Sequence, residues 1–109
     1  MKVPFSSIRV GPYDVLIKPI PDSEAANLYG DFSEADMTIR IKPTISSSQL
    51  VAETAIHEIL HCLWAVMHLP NSGRDIEERA VGGLGTGLAQ VIRDNPKLID
   101  WLQRALRSK

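Results

Sequence analysis

The sequence predicts a single α+β domain, in which a small N-terminal β-sheet of two or three strands packs on a central helix followed by two further helices. Two observations predict this layout. The first half is rich in proline and turn residues that bound short β-type segments, whereas the second half contains three segments with helical patterns. We expect one domain over residues 1–109, because a chain of this length supports one modest core.

Two segments in the first half are predicted strands. Residues 13–18 are mostly apolar or β-branched and are bounded by glycine and proline. Residues 37–42 alternate apolar and polar side chains with period two, which is typical of a half-buried strand. We expect these two strands to pair. Residues 23–28 favour a turn or two of helix, and residues 29–31 a turn.

The central helix is predicted from residue 49 to about residue 68, a stretch without glycine or proline. The serines at 46–48 precede it and are typical of a helix start, because a serine oxygen can accept from the free amides of the first turn. Apolar side chains occupy nearly all sides of this helix. A helix of that kind is expected to lie inside the protein.

Two more helices are predicted, over residues 75–93 and 96–106, with Asn95 as the N-cap and Pro96 at the first position of the last one. The expected core stripe of the first of them is Val81, Leu84, Leu88 and Val91. The same helix contains Gly82, Gly83, Gly85 and Gly87. Each glycine weakens a helix by roughly 1 kcal/mol relative to alanine, so we expect close packing of this glycine face on the central helix.

Composition excludes some partners and favours a reducing compartment. The formal net charge is -1, from 12 basic and 13 acidic residues, which argues against nucleic acid or a membrane as a partner bound by bulk charge. The single cysteine, Cys62, cannot form an intramolecular disulfide and is expected to fill the core. The first ten residues have no long apolar run, so no secretory signal is expected, and a cytoplasmic location is the default.

An HExxH pattern, with its fixed residues His57, Glu58 and His61, lies in the middle of the central helix. Positions four apart on a helix differ by about 40° in direction and about 6 Å along the axis, so both imidazoles can converge on one tetrahedral zinc ion. Glu58 lies about 100° from His57, where it can reach a zinc-bound water and act as its general base.

The expected burial of these residues strengthens the metal hypothesis. Two histidines and a glutamate inside an apolar helix are costly unless they are paired, and a zinc ion would compensate them. The alternative is a chance pattern, because a buried histidine is more often a hydrogen-bonded core residue than a ligand. The position of the pattern within a long predicted helix favours the metal site.

A catalytic zinc needs a third protein ligand as well as an open position. His68 is one candidate, although its spacing from His61 does not fit the elongated metzincin motif and a helix C-terminal role is more typical. Glu77 and Glu78 open the next helix and are better candidates. We favour Glu77, which shares a face with the predicted core stripe, although acidic residues are also common in a first helical turn.

The pattern of HExxH on one helix followed by glutamate at the start of the next resembles the gluzincin peptidases. The chain is also similar to small phage and prophage proteins of the ImmA/IrrE-type metallopeptidase group. The matching segments are a strand at 38–41, the helix at 55–61, the start of a helix at 77–81 and its end at 93–96. The resemblance covers about two thirds of the chain, from residue 29 onward.

This resemblance implies a minimal zincin-like fold, with zinc bound by His57 and His61, Glu58 as the base and Glu77 as the third ligand. It also implies a phage or prophage origin. We expect zinc-dependent hydrolysis of a peptide or protein substrate, which would pair with residues 37–42 as an exposed edge strand. Two alternatives are a metal-stabilised binding module without turnover and a helical interaction protein with a chance motif.

Overall fold

The computed structural model describes residues 3–24, 27–73 and 75–108 and confirms the α+β fold class. The elements are β1 (Ser7–Val10), β2 (Tyr13–Pro19), β3 (Gly30–Ser33), β4 (Thr38–Ile41), α1 (Ser48–Val66), α2 (Ile76–Asp94) and α3 (Pro96–Arg107). A short 3-10 turn spans Asp22–Glu24, and the rest of the helical turn predicted at 23–28 includes residues 25 and 26, which lie outside the described ranges. No helix in these ranges is long and apolar enough to cross a membrane.

The sheet has four strands in the order β1-β2-β4-β3, rather than two or three. The predicted pairing of the two longest β segments is confirmed, and β2 and β4 run parallel with Ile17 opposite Ile39. The outer pairs, β1 with β2 and β3 with β4, are antiparallel. The parallel pair therefore lies at the centre of the sheet, with one antiparallel strand on either side.

The prediction that residues 37–42 form an edge strand is wrong, because β4 is paired on both sides. Its outer neighbour is β3, whose first residues were predicted to form a turn. Gly30 has a low strand propensity, which made this segment look like a turn, but pairing with β4 and contact with α1 stabilise it as a strand. The edge strand on this side of the sheet is therefore β3.

The other edge of the sheet is covered by side chains at the end of α2. Asn95 accepts from the amide of Arg9 at 2.7 Å and donates to its carbonyl at 2.8 Å. Gln90 accepts from the amide of Gly11 at 2.7 Å and donates to the Arg9 carbonyl at 3.0 Å. Asn95 holds the N-cap position of α3 as predicted, but its side chain makes no capping bond there and ties α3 to β1 instead.

Helix α1 begins as predicted, with the side chain of Ser47 accepting from the amide of Leu50 at 3.2 Å. One side of α1 is buried in the core together with Cys62, which confirms the expected core role of the cysteine. The core residues of this helix are Val51, Ala52, Ala55, Ile59, Cys62 and Leu63. The opposite side, however, is exposed at Glu53, His57 and His61. The helix is central but is not enclosed on all sides.

The predicted core stripe of α2 is only half right. Val91 is buried and Leu84 is packed against the core, but Val81 is 60% exposed and Leu88 37% exposed. The face that packs inward is rotated and includes Ala80 and Gly87. Two faces of α2 carry apolar residues at helical spacing. The face that contains Gly87 packs inward, because glycine lets α2 approach α1 more closely.

The glycines of α2 divide into two pairs. A β carbon on Gly87 would lie 2.5 Å from Cδ2 of the fully buried Leu63 of α1, and one on Gly83 would overlap the side chain of Leu69. At Gly82 and Gly85 a β carbon would meet no atom of the described residues within 4 Å. The expected packing of glycine on the central helix is therefore confirmed for Gly87, whereas Gly83 packs on Leu69 in the segment after α1.

This division predicts opposite effects of alanine at two glycines of α2. Gly87→Ala should lower the free energy of unfolding by about 2 kcal/mol, because the added methyl group overpacks Leu63. Gly82→Ala should raise it by about 1 kcal/mol through helix propensity alone. Urea unfolding followed by circular dichroism measures both. Equal effects of the two substitutions would contradict the packing described for α2.

Candidate metal centre

The two histidines of the HExxH pattern converge on the exposed side of α1. Nε2 of His57 lies 3.1 Å from Nε2 of His61, and the two ring planes are inclined by 68°. Two nitrogens bound at 2.0–2.1 Å to one tetrahedral ion would be about 3.3 Å apart, so this spacing is close to that of a shared metal ion. It also fits a hydrogen bond between neutral imidazoles, with one ring donating.

The expected burial of the histidines is wrong, because both are exposed, whereas that of Glu58 is right, because it is 6% exposed. Burial raises the pKa of Glu58, the nearby His57 and His61 oppose that rise, and the negative charge of Asp31 adds to it. A buried carboxylate thus lies beside two solvent-facing imidazoles. Histidine at these positions carries no burial cost that a metal would have to compensate.

Gly30 brings β3 over Glu58. A β carbon on Gly30 would lie 2.8 Å from Cγ2 of Thr54, 3.0 Å from the carbonyl of Arg40 and 3.2 Å from Cγ of Glu58. Strand β3 therefore approaches α1 as closely as backbone allows at this residue. The strand covers the stem of the glutamate, which is the physical reason for its burial.

An ion pair holds the next residue of β3 in place. The guanidinium of Arg40 on β4 donates to both carboxylate oxygens of Asp31, at 2.9 and 2.5 Å, and to Glu24 at 3.3 Å. The hydrogen bond from Arg40 lowers the pKa of Asp31. Asp31 therefore stays charged near Glu58, but both of its oxygens are already engaged by arginine.

A cavity of about 700 Å³ opens over the motif. Its described lining residues are Gly30, Asp31, Phe32, Glu34, His57, Glu58, His61, Trp64, Ala65, His68, Leu69 and Asn71. They come from β3, from α1 and from the segment after α1. Nε1 of Trp64 donates to Oδ1 of Asn71 at 3.0 Å and fastens that segment to the helix at the rim of the cavity.

His68 occupies a strained backbone position at this rim. The amide of Leu69 bonds to the carbonyl of Trp64 at 3.0 Å, and that of His68 bonds to Ala65 at 3.2 Å, which together form a Schellman motif. His68 takes the left-handed position of the motif, with φ of 51°, where glycine is usual. The sequence indicated a helix end at His68, but not its place in the cavity lining.

The third ligand expected at Glu77 is not brought to the histidines in this structure. Glu77 and Glu78 are both exposed in the first turn of α2, and neither is among the lining residues of the cavity. Within residues 3–24, 27–73 and 75–108, no group of three histidine, cysteine or acidic side chains is arranged to hold a metal ion. The rotated inward face of α2 also removes the reason for preferring Glu77 to Glu78. Glu77 stays a prediction that rests on the resemblance.

Comparison with known proteins adds no relative. No family model, no curated protein and no solved structure matches the chain. The likeness to gluzincin and ImmA/IrrE-type metallopeptidases therefore stays a prediction carried by the residues themselves.

The left-handed backbone conformation of His68 predicts that replacing this residue by glycine raises the free energy of unfolding. His68→Gly should raise the free energy of unfolding by about 1 kcal/mol, because glycine adopts the left-handed conformation without steric cost. His68→Ala removes the same imidazole but keeps the strain, so it should bring no such gain. Urea unfolding of the two variants measures the difference, and a gain of equal size in both would contradict the assignment of strain.

Proposed function

We propose that the protein is a zinc-dependent hydrolase of peptide bonds, with its metal on His57 and His61 and with Glu58 as the general base. One observation carries this proposal. The two imidazole nitrogens lie 3.1 Å apart at an open cavity whose lining also includes a buried carboxylate. That combination has the parts for activating water beside a bound substrate.

The donor set fits zinc in part. Two neutral imidazoles at this spacing are suitable zinc ligands, and the cavity leaves room for substrate beside them. Bound zinc lowers the pKa of water towards about 7 and polarises a carbonyl oxygen. Three residues are candidates for the third zinc ligand. Glu77 is implied by the resemblance, whereas Glu34 and His68 line the cavity.

Glu58 is suited to moving the proton. Burial raises the pKa of Glu58 above the ordinary value, which strengthens the carboxylate as a base. In the proposed reaction the carboxylate accepts a proton from the attacking water. It then returns the proton to the nitrogen of the leaving amine, so Glu58 ends each cycle unprotonated.

Strand β3 is the proposed docking edge for the substrate. The amide of Lys42 bonds to the carbonyl of Tyr29 at 2.7 Å, so in this antiparallel ladder residues 29, 31 and 33 face β4. The backbone groups of Gly30 and Phe32 then point away from the sheet, where an added strand would pair. Since β1 is covered by Gln90 and Asn95, β3 is the edge on which an extended peptide would run past the histidines.

A second candidate is a metal-stabilised binding module without turnover. It is favoured by the lack of a third ligand around the histidines in the described part of the chain. The two tyrosines of the chain, Tyr13 and Tyr29, are both exposed and do not line the cavity, so neither is placed to stabilise an oxyanion. Metal content and hydrolysis therefore have to be measured separately.

The metal assignment predicts a loss of zinc affinity in two single variants. His57→Ala and His61→Ala should each weaken zinc binding by at least about a hundredfold, since even the partners of metal ligands contribute about 10- to 100-fold. Competition with a chromophoric chelator measures the affinity. Glu53→Ala, one turn earlier on the exposed side of α1, is the matched control. Zinc binding that is unchanged in both histidine variants would refute the site.

The proposed role of Glu58 as the base predicts that its replacement affects hydrolysis but not zinc binding. Glu58→Gln should keep zinc and lower kcat for hydrolysis of fluorescently quenched casein by about 100- to 10,000-fold, because the amide cannot accept the proton. Glu53→Gln makes the same chemical change on the solvent side and should leave kcat unaltered. If zinc-loaded wild-type protein cleaves nothing, the binding module is the better account.

The proposed docking edge predicts that kcat/KM for peptides depends on the backbone amide of Phe32 rather than on its side chain. Phe32→Pro should lower kcat/KM for peptides about fivefold through the loss of one outward amide, while the ladder to β4 is kept. Phe32→Val keeps that amide and serves as the control. Equal kcat/KM values for the two variants would count against pairing of substrate with β3.

A further inference from the structure

A second large cavity lies at the end of the sheet, apart from the metal centre. This groove, which we call the lysine groove, has a volume of about 1000 Å³. Its walls come from the segment that leads into β1, the carboxyl ends of β2 and β4, and the start of α3. No described residue lines both this groove and the cavity over the histidines. The two are therefore independent sites.

The floor of the groove is apolar and firmly built. It is formed mainly by Val3, Phe5, Ile17 and Ile41, which pack against the hydrophobic core. The ring of Phe5 meets that of buried Trp101 edge to face, with centroids 5.6 Å apart. An apolar floor fixed to the core in this way offers a preformed surface for apolar side chains of a ligand.

Three lysines surround this floor, and their charge is not neutralised within the described part of the chain. Lys18, Lys42 and Lys97 come from β2, from the residue after β4 and from α3, and none of them belongs to an ion pair there. The described lining contains no acidic residue. Lys42 instead lies over the ring of Tyr29, at 5.9 Å from its centroid.

This local charge stands out because the whole chain has a formal net charge of -1. Three lysines that line one groove make it positively charged, and an anionic ligand would neutralise that charge. The lysines stand on three separate elements rather than together at one end. The three lysines therefore suit a ligand that carries several separated negative charges with apolar groups between them. A ligand with one charged head group on an apolar chain would engage them less well.

We propose that the lysine groove binds an extended peptide segment in which acidic and apolar side chains alternate. The apolar side chains lie on the floor, and the carboxylates meet the three lysines at the rim. An open groove suits a peptide, whose backbone keeps its contact with water. This binding needs neither metal nor hydrolysis, so it stands or fails separately from the function proposed above.

The test uses the full chain, labelled with ¹⁵N, and a short capped peptide in which leucine and glutamate alternate. Titration followed by amide chemical shifts should give saturable binding, with the shifted amides clustered around the groove at Ile17, Lys42 and Lys97. Affinity should fall as salt rises. A peptide with lysine in place of glutamate, and one with serine in place of leucine, should each bind at least about tenfold more weakly.

Charge reversal in the protein locates the site. The double variant Lys18→Glu/Lys42→Glu should raise the Kd at least about tenfold, because it places like charges opposite the peptide carboxylates. Arg107→Glu makes the same kind of charge change on an exposed residue outside the groove and should leave the Kd within about twofold. Amide spectra of the variants without peptide verify that both are folded.

Three results would overturn the proposal. The first is no saturable shift with the leucine–glutamate peptide up to about 1 mM. The second is an equal loss of affinity in Arg107→Glu, which would mean that only the overall charge matters. The third is binding of oleate at the groove together with no binding of the peptide, which would make the occupant a fatty carboxylate.

Discussion

The close approach of β3 to α1 at Gly30 is the constraint on which the candidate centre depends. Any β carbon at this residue would crowd Thr54 and Glu58 of the helix and the Arg40 carbonyl of the neighbouring strand. Only glycine lets the strand come down onto the helix here. The contact covers Glu58, so one residue without a side chain determines both the burial of the carboxylate and the position of the strand beside it.

The electrostatics of the centre follow from that contact. Desolvation raises the pKa of Glu58, and the imidazoles of His57 and His61 act in the opposite direction. Asp31 adds a negative charge nearby, but the guanidinium of Arg40 engages both of its oxygens. The arginine thus engages the carboxylate of Asp31, whereas no ion pair of Glu58 is found among the described residues.

The two sides of the molecule are organised differently. The metal centre uses the exposed side of α1 and the uncovered edge at β3, whereas the lysine groove uses the carboxyl ends of the parallel strands β2 and β4. The linings of the two cavities differ in chemistry: one contains imidazole and carboxylate groups, and the other contains apolar side chains and three lysines.

The amino-acid pattern alone determined the fold class, the three helices, a serine cap at the start of α1 and the placement of His57, Glu58 and His61 on one helix. These follow from local rules of capping, periodicity and helical spacing. Tertiary structure decided which strand forms the edge, which face of α2 turns inward and how deeply each motif residue is buried. Gly30 and Gly87 show the physical reason. The effect of each glycine depends on the residues that pack against it, and those residues are distant in the sequence.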